Sequence, residues 1–219
     1  MSNQQNPVAI ATTTFYKDPE GKDRVRFICA RRQVEKAVAA GYQIIVIDDS
    51  PTSIVAEELK ALGAKVFRQQ QPGIGAAKRE SAFHASFFGN IVVMNEAEKF
   101  DLIRHIPALI EPIVTGTAEV IVAKRTPASD ATYPQFQIET EKEADDAFER
   151  ITGLEGIRPM FGPVAFISEK EIIGSFALFR PTDVAGLPDT YIQHYGPVIA
   201  YDDASTVEAV AIDFIYPPE

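Results

Sequence analysis

Cysteine is almost missing from this chain. Cys29 is the single one in 219 residues, so no internal disulfide can form, and a reducing compartment is the expected setting. Cations are in deficit too: 21 Lys and Arg stand against 31 Asp and Glu, a formal net charge of -10. That balance argues against a surface that neutralises nucleic-acid phosphates, so no nucleic-acid partner is expected and any anionic ligand must be held by a local site. No apolar stretch approaches the ~20 residues a membrane span requires, and the polar start MSNQQNP carries no signal-peptide pattern. A cytoplasmic protein is the expectation. Glycine is absent from Thr12 to Tyr16, where a nicotinamide oxidoreductase would place its Gly-any-Gly-any-any-Gly turn after a first strand. What is present reads as globular: 46% hydrophobic and 24% charged residues lie far from the disordered and fibrous extremes.

Apolar runs alternate with helical patterns. Val8 to Thr14 reads as a first strand, and Asp23 to Ala40 as a helix closed by Gly41. Gln43 to Asp49 is a second strand of the continuous apolar kind that parallel sheets favour, because both faces are covered. Thr52–Leu62, Gly75–Phe88 and Phe100–Thr115 predict helices; residues 64–68, 90–94 and 118–123 predict strands. The alternation implies βαβ crossovers and a mostly parallel, doubly wound α/β sheet. Residues 126–160 read as an insertion with a solvated acidic helix over 139–149, and 160–168 and 206–216 as late strands.

Ligands in such sheets sit at the carboxyl ends of the strands, which singles out Thr12, Thr13 and Thr14, Asp48 and Asp49, Gln69 to Gly75, and Asn95 to Glu98. Asp48 and Asp49 can accept hydrogen bonds from a ribose or base, or Asp49, Ser50 or Thr52 can cap the next helix. Gly73-Ile74-Gly75-Ala76-Ala77-Lys78-Arg79 places two glycines at a helix start with two cations behind them, a pattern suited to a phosphate. Glu96-Ala97-Glu98 offers two carboxylates for Mg²⁺ or Mn²⁺, or the acidic first turn of a helix. His84 and His105 fall on helix patterns and read as structural; His194 is a candidate ligand or substrate contact.

Together, Val8 to Thr14, Ile44 to Ser50, Gly73 to Arg79 and Ile91 to Glu98 resemble the nucleotide-sugar-binding half of a GT-A fold glycosyltransferase of the family 2-like type. The resemblance implies a three-layer sandwich in a single domain. Residues 7–125 would bind the nucleotide sugar, and residues 126–219 would form the acceptor side. It implies a UDP- or GDP-sugar donor and an acceptor of unspecified chemistry. Thr12, Thr13, Thr14, Asp48 and Asp49 would lie at the nucleoside, and Gly73, Gly75, Lys78 and Arg79 at the diphosphate. Glu96 and Glu98 would stand where the family has an Asp-any-Asp motif for Mn²⁺ or Mg²⁺, and Asp189 is the candidate catalytic base. The departure from aspartate to glutamate keeps a second reading open, a catalytically degenerate nucleotide-sugar-binding or regulatory module. A haloacid-dehalogenase-like phosphatase would want Asp-any-Asp followed by Thr, which Asp48-Asp49-Ser50 does not supply.

Overall fold

The computed structural model describes residues 8–180 and 189–216. Among the described residues seven strands form one sheet in the order β3-β2-β1-β4-β6-β5-β7. They are β1 (Val8–Thr14), β2 (Gln43–Asp48), β3 (Lys65–Arg68), β4 (Ile91–Met94), β5 (Val120–Arg125), β6 (Val164–Ile167) and β7 (Val207–Ile212). Six run parallel. The exception is β6, which pairs antiparallel with both neighbours, Val164 facing Met94 on one side and Val122 on the other. On the amino-terminal side the register sets the strand ends abreast, with Thr14 beside Asp48 and Asp48 beside Arg68.

Alternation along each strand divides the interior into two cores, since successive side chains leave a strand on opposite faces. Val8, Ile10, Ile44, Val46, Ile91 and Val93 pack against α1 (Arg24–Ala39), α2 (Ile54–Ala61) and α4 (Ile106–Thr115). Ala9, Ala11, Ile45, Val92 and Met94 pack against α3 (Ile74–Ala85) on the other face, where Phe176 and Ile192 complete the layer. Two apolar layers around one sheet explain why Ile44 to Ile47 is an unbroken aliphatic run, all at or below 2% exposure.

Three elements differ from the sequence reading. The helix expected over Phe100–Thr115 is split into a 3₁₀ turn, Phe100–His105, and α4, with Pro107 in the first turn of α4. Proline has no N–H to donate and is best tolerated at a helix start, so the second segment begins there. The stretch read as an insertion folds into α5 (Pro127–Asp130) and α6 (Gln135–Thr152). It is tied to the sheet by Arg125, which donates from Nε to Asp130 and from a terminal nitrogen to Glu141. The segment before β7, to which composition gave little shape, forms α7 (Lys170–Ile173), a π turn over Gly174–Leu178, and α8 (Ile192–Asp202). Here Phe176 stacks flat on Phe166 with ring centroids 4.1 Å apart.

Among the described residues, no helix is long and apolar enough to cross a membrane.

Candidate functional site at the strand ends

At the ends of β1 and β2 the acids are organised from inside. Thr14 Oγ1 and Ser50 Oγ both donate to Asp48 Oδ1, at 2.8 and 2.6 Å, and the Tyr16 N–H donates to Ser50 Oγ. Asp48 is buried, while Asp49 reaches outward and pairs with Arg68 at 3.0 Å. Neither acid caps α2. Its N-cap is Ser53, and no side chain bonds the helix start, so the capping alternative fails because the carboxylates are engaged across strands instead. Thr12 is buried and, among the described residues, its hydroxyl has no hydrogen-bond partner; Thr13 is half-buried. A cavity of about 240 Å³ opens beside Asp48, Ser50, Thr52 and Arg68.

The next segment turns on Gly73. Its φ of 102° lies where L side chains are strained, and it opens α3 so that Gly75, Ala76 and Ala77 are buried and Lys78 follows within the first turns. Lys78 points toward the end of β4, where it faces Glu96 and Lys99, and its Nζ donates to the Thr190 carbonyl at 3.3 Å. Arg79 is buried on the same helix. Burial depresses the Lys78 ammonium, with Glu96 opposing that fall and Lys99 adding to it. A desolvated cation of this kind gains from any anion brought against it.

Strand β4 ends at Met94, so Glu96 and Glu98 lie in a turn and strand alternation does not govern where they point. The turn is fixed from within: Lys99 N–H donates to the Glu96 carbonyl, Asn95 Nδ2 to the Lys99 carbonyl, and buried Gln33 Nε2 to the Glu96 carbonyl. Both glutamates line one cleft of about 230 Å³ with Lys99, Tyr133 and Phe214. Their charges face different partners. Glu96 is paired with Lys99, and Glu98 accepts from Arg26 Nε at 2.7 Å. Burial works against the charge on Glu96, yet Lys99 and Lys78 together hold its carboxyl below the usual carboxylate range.

His194 reaches this cluster from α8. Burial, reinforced by Lys78 and Lys99 and opposed by Glu96 and the Tyr191 backbone, pushes the imidazole down to about 4, so it is neutral at physiological pH, and among the described residues its buried Nδ1 meets no partner at hydrogen-bond geometry. Two ammonium groups, one carboxylate and a neutral imidazole thus meet where β4 ends, with one positive charge in excess. Gly162 closes the other side: a Cβ there would lie 3.5 Å from both Glu96 Oε1 and Lys99 Nζ.

The other histidines are structural or peripheral. His84 stacks on Phe67 with centroids 4.4 Å apart, and His105 lies at the start of α4 beside Arg104. Asp189 begins a short 3₁₀ turn, Asp189–Tyr191; its side chain lies outside what the structure describes. Lys99, Gly162 and the Thr190 carbonyl were not singled out by sequence. Of these, Lys99 carried a usable signal, its i,i+3 spacing from Glu96.

A cation at this cluster would find Glu96 and the lone pair of a neutral His194, with Glu98 in the same cleft. Among the described residues no group of three or more His, Cys, Asp or Glu side chains is assembled to hold one.

No family model matches the chain, and no curated protein matches it in sequence. Solved structures do match. Glucosyl-3-phosphoglycerate synthase from Mycobacterium tuberculosis, in complex with Mn²⁺, UDP and phosphoglyceric acid, aligns with a TM-score of 0.60 at 16% identity over 93% of this chain and 68% of that one. Another structure of that enzyme aligns with a TM-score of 0.62 at 16% identity, over 97% and 73%. A further complex, with Mn²⁺, UDP-glucose and glycerol 3-phosphate, aligns with 0.60 at 16%, over 94% and 70%. At such identities the likeness is one of fold, and the fold of this chain is that of the GT-A nucleotide-diphospho-sugar glycosyltransferases.

Proposed function

We propose that this protein transfers a sugar from a nucleoside diphosphate donor to a hydroxyl-bearing acceptor. The observation that carries the reading is the meeting of Lys78, Lys99, Glu96 and His194 at the carboxyl end of β4 in a GT-A fold. In this reading Thr12, Thr13, Thr14, Asp48 and Asp49 hold the nucleoside, with Asp48 locked by Thr14 and Ser50 so that the ribose meets a preformed acceptor. Gly73, Gly75, Lys78 and Arg79 receive the diphosphate at the start of α3. As the sugar–phosphate bond breaks, negative charge grows on the leaving diphosphate, and Lys78 and Lys99 stabilise it, Lys78 with little reorganisation because burial has already stripped its water. Asp189 is the base that takes the acceptor proton in this scheme.

A divalent cation, Mn²⁺ or Mg²⁺, belongs to the same reading, as in the structural neighbours that contain Mn²⁺ or Mg²⁺ with UDP. Glu96 would hold it, with Glu98 in the same cleft and His194 beside it, and when bound it supplies Lewis-acid neutralisation of the diphosphate. The pairing of Glu96 with Lys99 and of Glu98 with Arg26 favours a second reading, a nucleotide-sugar-binding module without turnover.

Calorimetric titration with UDP, GDP and UDP-glucose, with and without Mn²⁺, separates the two when combined with a turnover assay. Transferase activity requires nucleotide binding together with consumption of the donor. Binding without consumption selects the module, and no binding of any nucleotide rejects both.

A further inference from the structure

The turn that carries Glu96 also carries its counter-ion. Lys99 lies three residues on; its backbone N–H donates to the Glu96 carbonyl and its ammonium donates to the Glu96 carboxylate. Gln33 and Asn95 hold the backbone of this turn in place, so the two side chains are presented to each other by the chain itself.

The partners are covered unequally. The Lys99 side chain keeps 17% of its surface exposed and that of Glu96 keeps 39%. The carboxylate therefore stays open to the cleft it shares with Glu98, while the ammonium is tucked between that carboxylate and the Phe161 ring, 5.4 Å from the ring centroid. Gly162 leaves a further side uncovered, since it has no Cβ where one would lie 3.5 Å from both Glu96 Oε1 and Lys99 Nζ. A cation arriving from the cleft meets a carboxylate that is accessible but already taken.

Charge decides what can join the pair. Glu98 is matched by Arg26 and Glu96 by Lys99, which leaves Lys78 as the local excess. A divalent cation added to that set makes the cluster strongly positive, and like charges at close range repel. It is accommodated when the ammonium leaves the carboxylate and an anion arrives to meet both.

We propose that Lys99 is a resident competitor for the Glu96 carboxylate, so that a divalent cation reaches Glu96 by displacing the ammonium, which then turns to the nucleoside diphosphate. The diphosphate rests on the transferase reading, whereas the competition at Glu96 stands on this turn alone. Metal and nucleotide are thereby coupled. The cation frees Lys99 for the phosphates, and the phosphates supply the negative charge that a freed ammonium and a divalent ion both lack.

Calorimetric titration with Mn²⁺ alone tests the exchange, on the wild-type protein, on Lys99→Met and Lys99→Arg, and on Lys99→Met combined with Glu96→Gln. Removing a charge-assisted competitor tightens binding by roughly tenfold, so Lys99→Met should bind Mn²⁺ about tenfold more tightly than wild type. Lys99→Arg keeps the charge and should bind as wild type does, and adding Glu96→Gln should abolish the gain. Equal Mn²⁺ affinity in wild type and Lys99→Met overturns the proposal, as does a gain that survives Glu96→Gln or a Lys99→Met protein that binds no Mn²⁺. Lys99→Gln gives the same readout should Lys99→Met fail to fold. A parallel UDP titration keeps the two readings apart. If UDP fails to bind while Lys99→Met still gains Mn²⁺ affinity, the transferase is rejected and the exchange stands; if UDP binds while Mn²⁺ affinity is indifferent to Lys99, the exchange is rejected and the transferase stands.

Discussion

Lys78 shows how the fold can leave a single buried cation short of counter-charge. Its neighbours include one carboxylate, which Lys99 also claims, and one backbone carbonyl. The ammonium is therefore desolvated and under-compensated, a state that costs folding free energy and that, in the proposed function, an incoming diphosphate would relieve. Lys78→Met should weaken UDP binding by roughly tenfold while leaving uridine binding unchanged, because uridine lacks the phosphates. Titration of both ligands against both proteins checks this, and a parallel loss for the two ligands would assign Lys78 a role in shape alone. The candidate site was partly legible at this scale. Gly73, Lys78 and Glu96 could be named because glycine at a helix start and acids after an apolar run are local patterns. Lys99 and His194 were harder. The role of Lys99 depends on a turn held by Gln33 and Asn95, and the role of His194 on a helix nearly a hundred residues further along, and neither relation is written in nearby sequence.

Among the elements, α8 is fitted closely against its neighbour. Gly196 lies against Phe176 so closely that an added Cβ would stand 2.3 Å from a ring carbon, and that ring is itself stacked on Phe166. Gly196→Ala should cost about 1–3 kcal/mol through overpacking, seen as a lower urea midpoint, and Phe176→Leu in the same chain should restore part of it. Full additivity of the two changes would show that the contact is not what limits the fit. Because α8 carries His194, the strain should also reach the β4 cluster. Gly196 illustrates what sequence hides: glycine inside a helix reads as a weakness, and its reason, a ring contributed by another element, appears in the packing alone. The strands were the opposite case. Ile44 to Ile47 declared a doubly covered strand, whereas Val164-Ala165-Phe166-Ile167 reads the same in either direction and gave no sign that β6 runs against its neighbours.

At the scale of the whole molecule, pH acts through buried groups. Asp145 titrates near 3.8 when unfolded, while burial pushes its folded-state carboxyl up to about 6. Between those values the folded state holds the extra proton. Its contribution to stability is therefore complete below the unfolded value and is lost as pH rises through the folded one. Asp145→Asn keeps an acceptor for the Met160 N–H without the charge. The stability of that variant relative to wild type should grow as pH rises from about 4 to about 6 and level off above, with an upper bound of about 3 kcal/mol. Urea midpoints across that range check the sign, and a difference independent of pH would show that Asp145 titrates normally.

The reversal of β6 has a geometric consequence for the rest of the chain. In a parallel array each strand is entered from the end remote from the ligand, so every connection must travel the length of the sheet. Since β6 is entered from the ligand end, the path from β5 to β6 leaves and returns on the same side and never crosses a face. That excursion, residues 126–163, therefore has a length that the span of a crossover does not set. Lengthening it costs little more than loop entropy, about 0.6 kcal/mol for each doubling. What can vary is its exposed turns, since Tyr133, Phe161, Leu154 and Ile157 of the same excursion belong to the two cores that hold the sheet.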